Sequence, residues 1–305
     1  MKAQVVEKYG ESSIFVLKKL PIPEPREDEV LVKVKATSIN PLDISSRKGL
    51  VPNLVGDLPA ILHADGSGVV EKAGENVKNF KKGDEVYFCF GGIKPNQGSL
   101  REYTIVDQKS LAKKPHHLSH EEAAAIPLVG ITAYEGLVIK GALKKDQTVL
   151  IQGAAGGIGH IAVQIAKALG ALVSATVINE KESEYLKSLG VENIIMAKEE
   201  SAKEYTKRIT NGNGFDLVFD TVGGQNMLNS FEAAKINGTV VTVSAQESIN
   251  LSLAHAKALD IKVVFMLIPL IRNIGRELHG EILQKLSELA DFGKLKPLVD
   301  KVFEF

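Results

Sequence analysis

Only one cysteine, Cys89, and no tryptophan occur among the 305 residues. A single thiol cannot close an intramolecular disulfide, and a structural zinc site built from several cysteines is excluded. Cys89 lies in the apolar strand pattern DEVYFCFGG and reads as a small buried filler. Charge of one sign is lacking too: 37 Lys and Arg balance 37 Asp and Glu, so no net field recommends nucleic acid or an anionic membrane as a partner. Long apolar runs are also missing. VVFMLIPLI at 263–271 is interrupted by Pro269 and falls far short of the roughly 20 residues that span a bilayer. The opening MKAQVVEKYG is strand-like rather than a signal peptide, and the expectation is a cytoplasmic protein.

What is present falls into two textures. Residues 1–120 are rich in short β-branched runs broken by turns, such as EVLVKVKATSI, GSGVVEKAG and KGDEVYF, with helical period only near Asp43–Lys48. That pattern predicts a compact β-barrel-like domain. From Ser119, a candidate N-cap followed by acids, SHEEAAAIPLVGITAYEGLVIKG runs helical. Strand and helix then alternate: TVLIQG, GIGHIAVQIAKALG, LVSATV, EKESEYLKSLG, NIIMA, SAKEYTKRIT, FDLVFDTV, QNMLNSFEAAKI, TVVTVS. Such alternation with short loops predicts a doubly wound parallel sheet covered by helices on both faces. A strand IKVVFMLI, a helix GRELHGEILQKLSELADFG and the segment KLKPLVDKVFEF complete the chain. The expected domains are 1–120, to which 270–305 returns, and 121–269.

The strongest local chemistry is VLIQGAAGGIGHIAVQIAKALGA. An apolar strand ends at Gly153, and Ala154, Ala155, Gly156, Gly157, Ile158 and Gly159 lead into an amphipathic helix. Small residues let the backbone approach a pyrophosphate, the helix N-terminus supplies free N–H groups, and Gly159 permits close helix–strand packing. A bare strand-to-helix turn is the alternative, and Ala154 stands where the strict pattern has its first glycine. At the end of the next strand, after Thr176, an NAD site places an acid; here that position is Val177. Lys181 is placed to meet a 2′-phosphate, though it also reads as a solvated helix-start charge beside Glu180. The expected cofactor is NADPH.

These pieces resemble the medium-chain dehydrogenase/reductase superfamily, and within it the zinc-free quinone oxidoreductase and alkenal (enone) reductase branch. The resemblance spans almost the whole chain. It rests on SINPLDISSRKG (38–49), LPAILHADGSGVVEKAGENVKNFKKGDEVYF (58–88), GSLREYTIV, AAAIPLVGITAYEGL (123–137), GAAGGIGHIAVQIAKALGA, FDLVFDTVGG (215–224) and GKLKPLVD, in one order. It implies a GroES-like catalytic domain, a Rossmann domain and an NADPH-filled cleft between them. In zinc-containing relatives the first metal ligand is a cysteine where this chain has Asn40. The second is the histidine of a Gly-His-Glu run, which, anchored on Gly68, corresponds to His63, Ala64 and Asp65. The ligand position is therefore Ala64, and a catalytic zinc short of its three protein ligands is not expected. Asp65 is expected to accept hydrogen bonds in the turn, and His63 to border the cleft. His116, His117 and His120 read as a solvated loop, and His160 as a flank of the cofactor helix.

Without zinc, hydrogen-bond donors must polarise the acceptor, which implies an already electrophilic carbonyl: a quinone or an α,β-unsaturated ketone or aldehyde. Asn40 matches the family asparagine facing the nicotinamide and is expected to orient that acceptor. Asp43 follows it as the second candidate, although an ion pair to Arg47 at i, i+4 is an equal reading. Thr132 matches a family cofactor contact, with helix back-bonding as its alternative. Thr221, Val222, Gly223 and Gly224 end one sheet strand at its carboxyl edge, and Ser244 ends the next, where a Rossmann fold places its ligand. Tyrosines common in quinone reductases are replaced by Ser45 and Val51, which shifts weight toward enones, and a tyrosine that supports the 2′-phosphate aligns near Ala197. Relatives commonly continue past the VDKVF segment with a further helix and strand. The apolar IKVVFMLI edge points to a homodimer. Rival readings are an enoyl-thioester reductase and a catalytically silent NADPH-binding or regulatory protein.

Overall fold

Turn-punctuated β-branched runs become strands in the first part of the chain: β1 (Lys2–Val6), β2 (Phe15–Lys19), β3 (Glu29–Ala36), β4 (Asp65–Ala73), β5 (Glu85–Cys89), β6 (Tyr103–Asp107) and β7 (Leu111–Lys113). The computed structural model describes residues 1–305. β1 and β2 form an antiparallel pair, and the others an antiparallel sheet in the order β6-β3-β4-β5-β7. The period of two shows in β6, where Thr104 and Val106 are buried and their neighbours are not. Register shifts between β3 and β4 bend the sheet. A side chain on Gly68 would lie 2.2 Å from the Lys33 carbonyl oxygen, so only glycine allows these strands to approach so closely.

Short helices α1 (Pro41–Arg47) and α2 (Pro52–Val55) decorate this sheet. The helical run expected after Ser119 forms in pieces: α3 (His120–Ala124), α4 (Pro127–Tyr134) and a π-helical stretch, Glu135–Lys140. Ser119 caps α3 in a reciprocal box with Glu122, while Pro127, having no N–H to donate, starts a new helix.

Next come β8 (Thr148–Gln152), α5 (Gly157–Ala168), β9 (Leu172–Val177), α6 (Glu180–Ser188), β10 (Asn193–Met196), α7 (Ala202–Thr210), β11 (Phe215–Asp220), α8 (Asn226–Ala233), β12 (Ala234–Thr242), α9 (Ser252–Ala256) and β13 (Asp260–Val263). The sheet is parallel, in the order β10-β9-β8-β11-β12-β13, the doubly wound arrangement with its switch point between β8 and β11. Central strands read as unbroken apolar runs because both faces are buried. Leu150, Phe215, Val218, Phe231 and Val240 share one core cluster, each side chain stabilising the fold by about 1.5–3 kcal/mol. The segment AAKI, expected to continue a helix, instead starts β12 at Ala234. Gly214 lets the turn before β11 approach Lys235.

The chain closes with α10 (Ile268–Arg272) and α11 (Glu277–Asp291). The expected strand IKVVFMLI is regular only to Val263, and no helix or strand follows Asp291. Two units result: Met1–Ile131 with Leu267–Phe305, and Thr132–Met266. The helical run after Ser119 is therefore divided: α3, which packs on β4, and α4 as far as Ile131 belong to the first unit, and the rest from Thr132 to the second. In the first unit α11 lies against β7, and the Tyr87 hydroxyl donates to the Leu283 carbonyl. No helix is long and apolar enough to cross a membrane.

Candidate functional site

The first unit buries an unusual amount of polar chemistry around the start of α1 and β4. Asn40 occupies the N-cap position of α1, and its backbone N–H donates to the Asp43 carboxylate at 2.7 Å. Its side-chain amide donates to Asp65 Oδ2 at 3.0 Å and to Ser38 Oγ at 3.4 Å. Asn40 thus ties two acids together, Asp43 through its backbone N–H and Asp65 through its amide, whose donors are spent inside the cluster. Asp65, 1% exposed, further accepts from the Ser38 hydroxyl at 2.9 Å and from the Leu128 N–H at 2.9 Å. Burial pushes its carboxyl up to about 7. The donors from Asn40, Ser38 and Cys89 pull the other way, and the nearby Asp43 charge adds to the rise.

Two neighbours complete the cluster. Cys89 is fully buried, and burial together with the acids pushes its thiol well above the usual range, which makes it an inert filler. His63 holds a left-handed backbone, φ +70°, at the position where relatives carry glycine, at a cost of about 1–2 kcal/mol. Its Nδ1 lies 3.3 Å from the Thr37 hydroxyl, and it faces Asp43. Burial lowers the basicity of His63 and raises the Asp43 carboxyl, and in each case it outweighs their mutual attraction. Ala64 is buried, and nowhere in the chain do three His, Cys, Asp or Glu side chains gather where they could hold a metal ion.

In the second unit the glycine loop is built from backbone. Gly153, φ +68°, turns the chain out of β8. Its N–H donates to Thr176 Oγ1 at 3.0 Å, and the Thr176 hydroxyl donates to Gln152 Oε1 at 3.0 Å. A Cβ on Gly159 would lie 2.3 Å from the Gly153 carbonyl oxygen and 2.6 Å from Ala154 Cα, so α5 sits directly on the loop. Gly156 and Gly157 are exposed, and a Cβ on Gly156 would meet only the Gly153 carbonyl oxygen, at 3.3 Å. The loop therefore leaves the N-terminus of α5 uncovered, where free N–H groups can meet an anion.

Its companion edge is organised by Asp220, fully buried at the end of β11. This carboxylate accepts from the N–H groups of Val222 (2.9 Å) and Gly223 (3.0 Å), from Asn226 Nδ2 (3.1 Å) and from the Ser230 hydroxyl (3.2 Å). The Thr221 hydroxyl donates to the Gln152 carbonyl at 2.7 Å, and Gly223 leaves space only for the Ser244 backbone and side chain. Gly153, Thr221, Val222, Gly223 and Ser244 are thus brought together at the carboxyl edge of the sheet.

Other expected positions fall differently. Asp43 and Arg47 do not pair: Arg47 donates to the Gly10 carbonyl at 2.5 Å and approaches Glu11, because Asp43 turns inward to the Asn40 N–H. Thr176 is buried and braces the loop from beneath, and Thr132 is buried in α4. Val177 ends β9 and is buried, while Lys181 is exposed in the first turn of α6, where Glu180 is taken by Lys187 and Glu182 by the cap at Asn179. His120 is no solvated-loop residue. Its Nδ1 lies 2.8 Å from Ser67 Oγ and its Nε2 3.4 Å from Glu85, anchoring α3 to β4 and β5. His160 flanks the loop as expected, with Nδ1 2.9 Å from the Gly156 carbonyl oxygen. The organising roles of Asp65 and Asp220 carry no local motif; an acid just ahead of Gly-x-Gly or Gly-Gly at a strand end was the available signal.

Comparison with known proteins agrees with this anatomy. The chain matches the alcohol dehydrogenase GroES-like domain over residues 26–116 and the zinc-binding dehydrogenase domain over 157–273. It is 34% identical to 2-methylene-furan-3-one reductase of Solanum lycopersicum, covering 98% of this chain and 71% of that protein. An alcohol dehydrogenase superfamily protein from Novosphingobium aromaticivorans superposes with a TM-score of 0.94 at 41% identity, over 97% of this chain and 88% of that one. Escherichia coli quinone oxidoreductase, solved with NADPH, gives 0.82 at 29% identity, over 97% and 89%. A GroES-like antiparallel sheet, a six-stranded Rossmann sheet and these matches place the chain in the medium-chain dehydrogenase/reductase superfamily of oxidoreductases, in its zinc-free quinone and enone reductase branch.

Proposed function

We propose that this protein is an NADPH-dependent oxidoreductase that reduces a quinone or an α,β-unsaturated carbonyl without zinc. One observation carries the reading: a glycine loop, braced by Thr176 and closed by Gly159, opens α5 beside the topological switch point of a doubly wound sheet. The names of the tomato furanone reductase and the NADPH-bound quinone oxidoreductase support the cofactor and the acceptor class. Asn40 and buried Ala64 at the ligand positions of zinc-containing relatives support zinc independence.

A bound nicotinamide would supply hydride. The chain's own part is to hold and to polarise. Free backbone N–H groups at the start of α5, at Gly157, Ile158 and Gly159, would hold the pyrophosphate, with the Thr221–Gly223 turn and Ser244 bordering it, and Lys181, whose neighbouring acids are already occupied, would meet a 2′-phosphate. Asp65 pins the Asn40 amide, and Asp43 holds the Asn40 backbone N–H at the α1 cap. Water protonates the reduced product.

The same reading includes a homodimer. β13 is an edge strand with exposed Ile261 and Val263, and Phe265 follows it, also exposed. A second copy of that edge would cover the unpaired backbone groups. Sedimentation should give a dimer for the wild type and a monomer for Ile261→Lys; a dimeric variant removes the β13 interface.

The deciding experiment follows NADPH and NADH oxidation against a panel of enones, alkenals and quinones, with metal analysis of the same preparation. Turnover without stoichiometric metal is expected. Tight NADPH binding with no turnover would leave a binding protein, and stoichiometric zinc would end the zinc-free reading. In Lys181→Ala the preference for NADPH should fall about tenfold, equivalent to about 1.4 kcal/mol; an unchanged ratio rejects the role of Lys181.

A further inference from the structure

β8 is apolar until its last residue. Val149, Leu150 and Ile151 are fully buried, and Gln152, 3% exposed, ends the strand with a primary amide inside the fold. Burying an amide is costly unless both of its ends are bonded, and here both are. Oε1 accepts from the Thr176 hydroxyl at 3.0 Å, and Nε2 donates to the Tyr205 hydroxyl oxygen at 3.4 Å. The Thr176 hydroxyl has one proton. Spending it on Gln152 turns a lone pair toward the Gly153 N–H, which it holds at 3.0 Å. The Thr176 carbonyl takes the next N–H, that of Ala154, at 3.1 Å. Gly153, at φ +68°, is where the chain leaves β8, so these bonds fix the direction in which the loop departs.

The main chain of Gln152 reaches the other way. Its carbonyl oxygen accepts from the Thr221 hydroxyl at 2.7 Å and from the Thr221 N–H at 3.4 Å. Gln152 is also the register partner of Asp220, which gathers the N–H groups of Val222 and Gly223. Contacts from β9, from α7 and from the end of β11 thus converge on one residue at the switch point.

We propose that Gln152 is the positioning residue of this sheet edge: its side chain sets the glycine loop through Thr176, and its backbone ties that loop to the Thr221–Gly223 turn. The inference rests on the NADPH reading for its purpose. With the Gly153 and Ala154 N–H groups spent beneath the loop, those at the start of α5 remain for a pyrophosphate. An apolar side chain of the same length would leave the Thr176 proton without an acceptor, and a hydroxyl that turns to find one releases Gly153.

The test uses the full chain, with amide hydrogen exchange measured residue by residue before any nucleotide is added. Gln152→Met keeps the length and removes the acceptor. Exchange at Gly153 should quicken at least about tenfold relative to Leu150, in the middle of the same strand. Gln152→Glu keeps an acceptor for the Thr176 proton and should keep Gly153 protected. Thr176→Val removes the hydroxyl itself, so adding Gln152→Met to it should change exchange little further. Unchanged protection of Gly153 in Gln152→Met, equal acceleration at Leu150, or additive effects in the double variant would overturn the role. A fluorescence titration then tests the purpose, and Gln152→Met should weaken NADPH binding about tenfold. Faster exchange with unchanged NADPH affinity would overturn the link between Gln152 and the cofactor. A wild type that binds no NADPH sinks the cofactor reading alone, because exchange at Gly153 still decides the positioning.

Discussion

The two units solve the problem of placing polar groups in opposite ways. In the second unit the ligand-facing parts are backbone, shaped by glycines, and the buried side chains Thr176 and Asp220 only hold that backbone still. In the first unit the polar groups are side chains, drawn from Ser38, Asn40, Asp43, His63, Asp65 and Cys89 and packed with one another. A backbone site tolerates changes of charge and fails on changes of shape. A side-chain cluster does the reverse, because its stability depends on how many protons and donors it holds.

The sharpest break of that contrast is Gly159→Val. Its Cβ would lie 2.3 Å from the Gly153 carbonyl oxygen, a contact no rotamer relieves, so α5 must move off the loop. Nicotinamide binding should fall by more than about a hundredfold, close to 3 kcal/mol or more, in a fluorescence titration with NADPH. Retained affinity would mean that the loop is not the pyrophosphate site. Gly156→Ala, which meets only one atom at 3.3 Å, should cost far less.

This contrast also explains what the sequence disclosed. The loop is legible because a tight strand-to-helix turn forces small residues at adjacent positions, and the alternation of strand and helix announces the parallel sheet around it. The run AAKI is a strand despite its helical composition because pairing of β12 with β11 overrides local preference. The acid cluster was only half legible. Asn40 and Asp43 sit in one segment and carry a cap signature, but Asp65 draws Asn40 and Leu128 together across the fold, and no local period records that. Likewise, i, i+4 spacing offered Arg47 to Asp43, while the N-cap turned the acid the other way.

A smaller effect, of opposite kind, is expected for Asp65→Asn. Volume is kept, but an acceptor-only group becomes half donor against Ser38 and Asn40, which costs about 1–3 kcal/mol at neutral pH. The pH dependence separates this loss from a packing defect. A carboxyl raised from 3.8 to about 7 binds its proton more tightly when folded, so its contribution to stability is full below pH 3.8 and is lost as pH rises toward 7. Between those limits the wild type should lose stability relative to Asp65→Asn as pH increases, measured by chemical denaturation at each pH. A constant difference across that range would show that Asp65 stays ionised throughout.

The mildest change sharpens the comparison from the basic side. His120 sits at the seam of α3, β4 and β5, with Ser67 Oγ at 2.8 Å, and burial lowers its basicity despite Glu85 nearby. A base weakened by folding gives stability that is complete above its unfolded value of 6.5 and declines as pH falls below it, the reverse of Asp65. His120→Gln keeps a polar partner for Ser67 and removes the titration. Its melting temperature at pH 8 should lie within about 1–2 °C of the wild type, the size of a weakened hydrogen bond in a chain this long. Between pH 6.5 and 5 the variant should lose less than the wild type. His63 and His160 are lowered in the same direction by burial, so some acid sensitivity remains in the variant. Parallel curves for the two proteins would mean that proton uptake at His120 leaves the α3 seam intact, and that the acid response arises at the other two histidines.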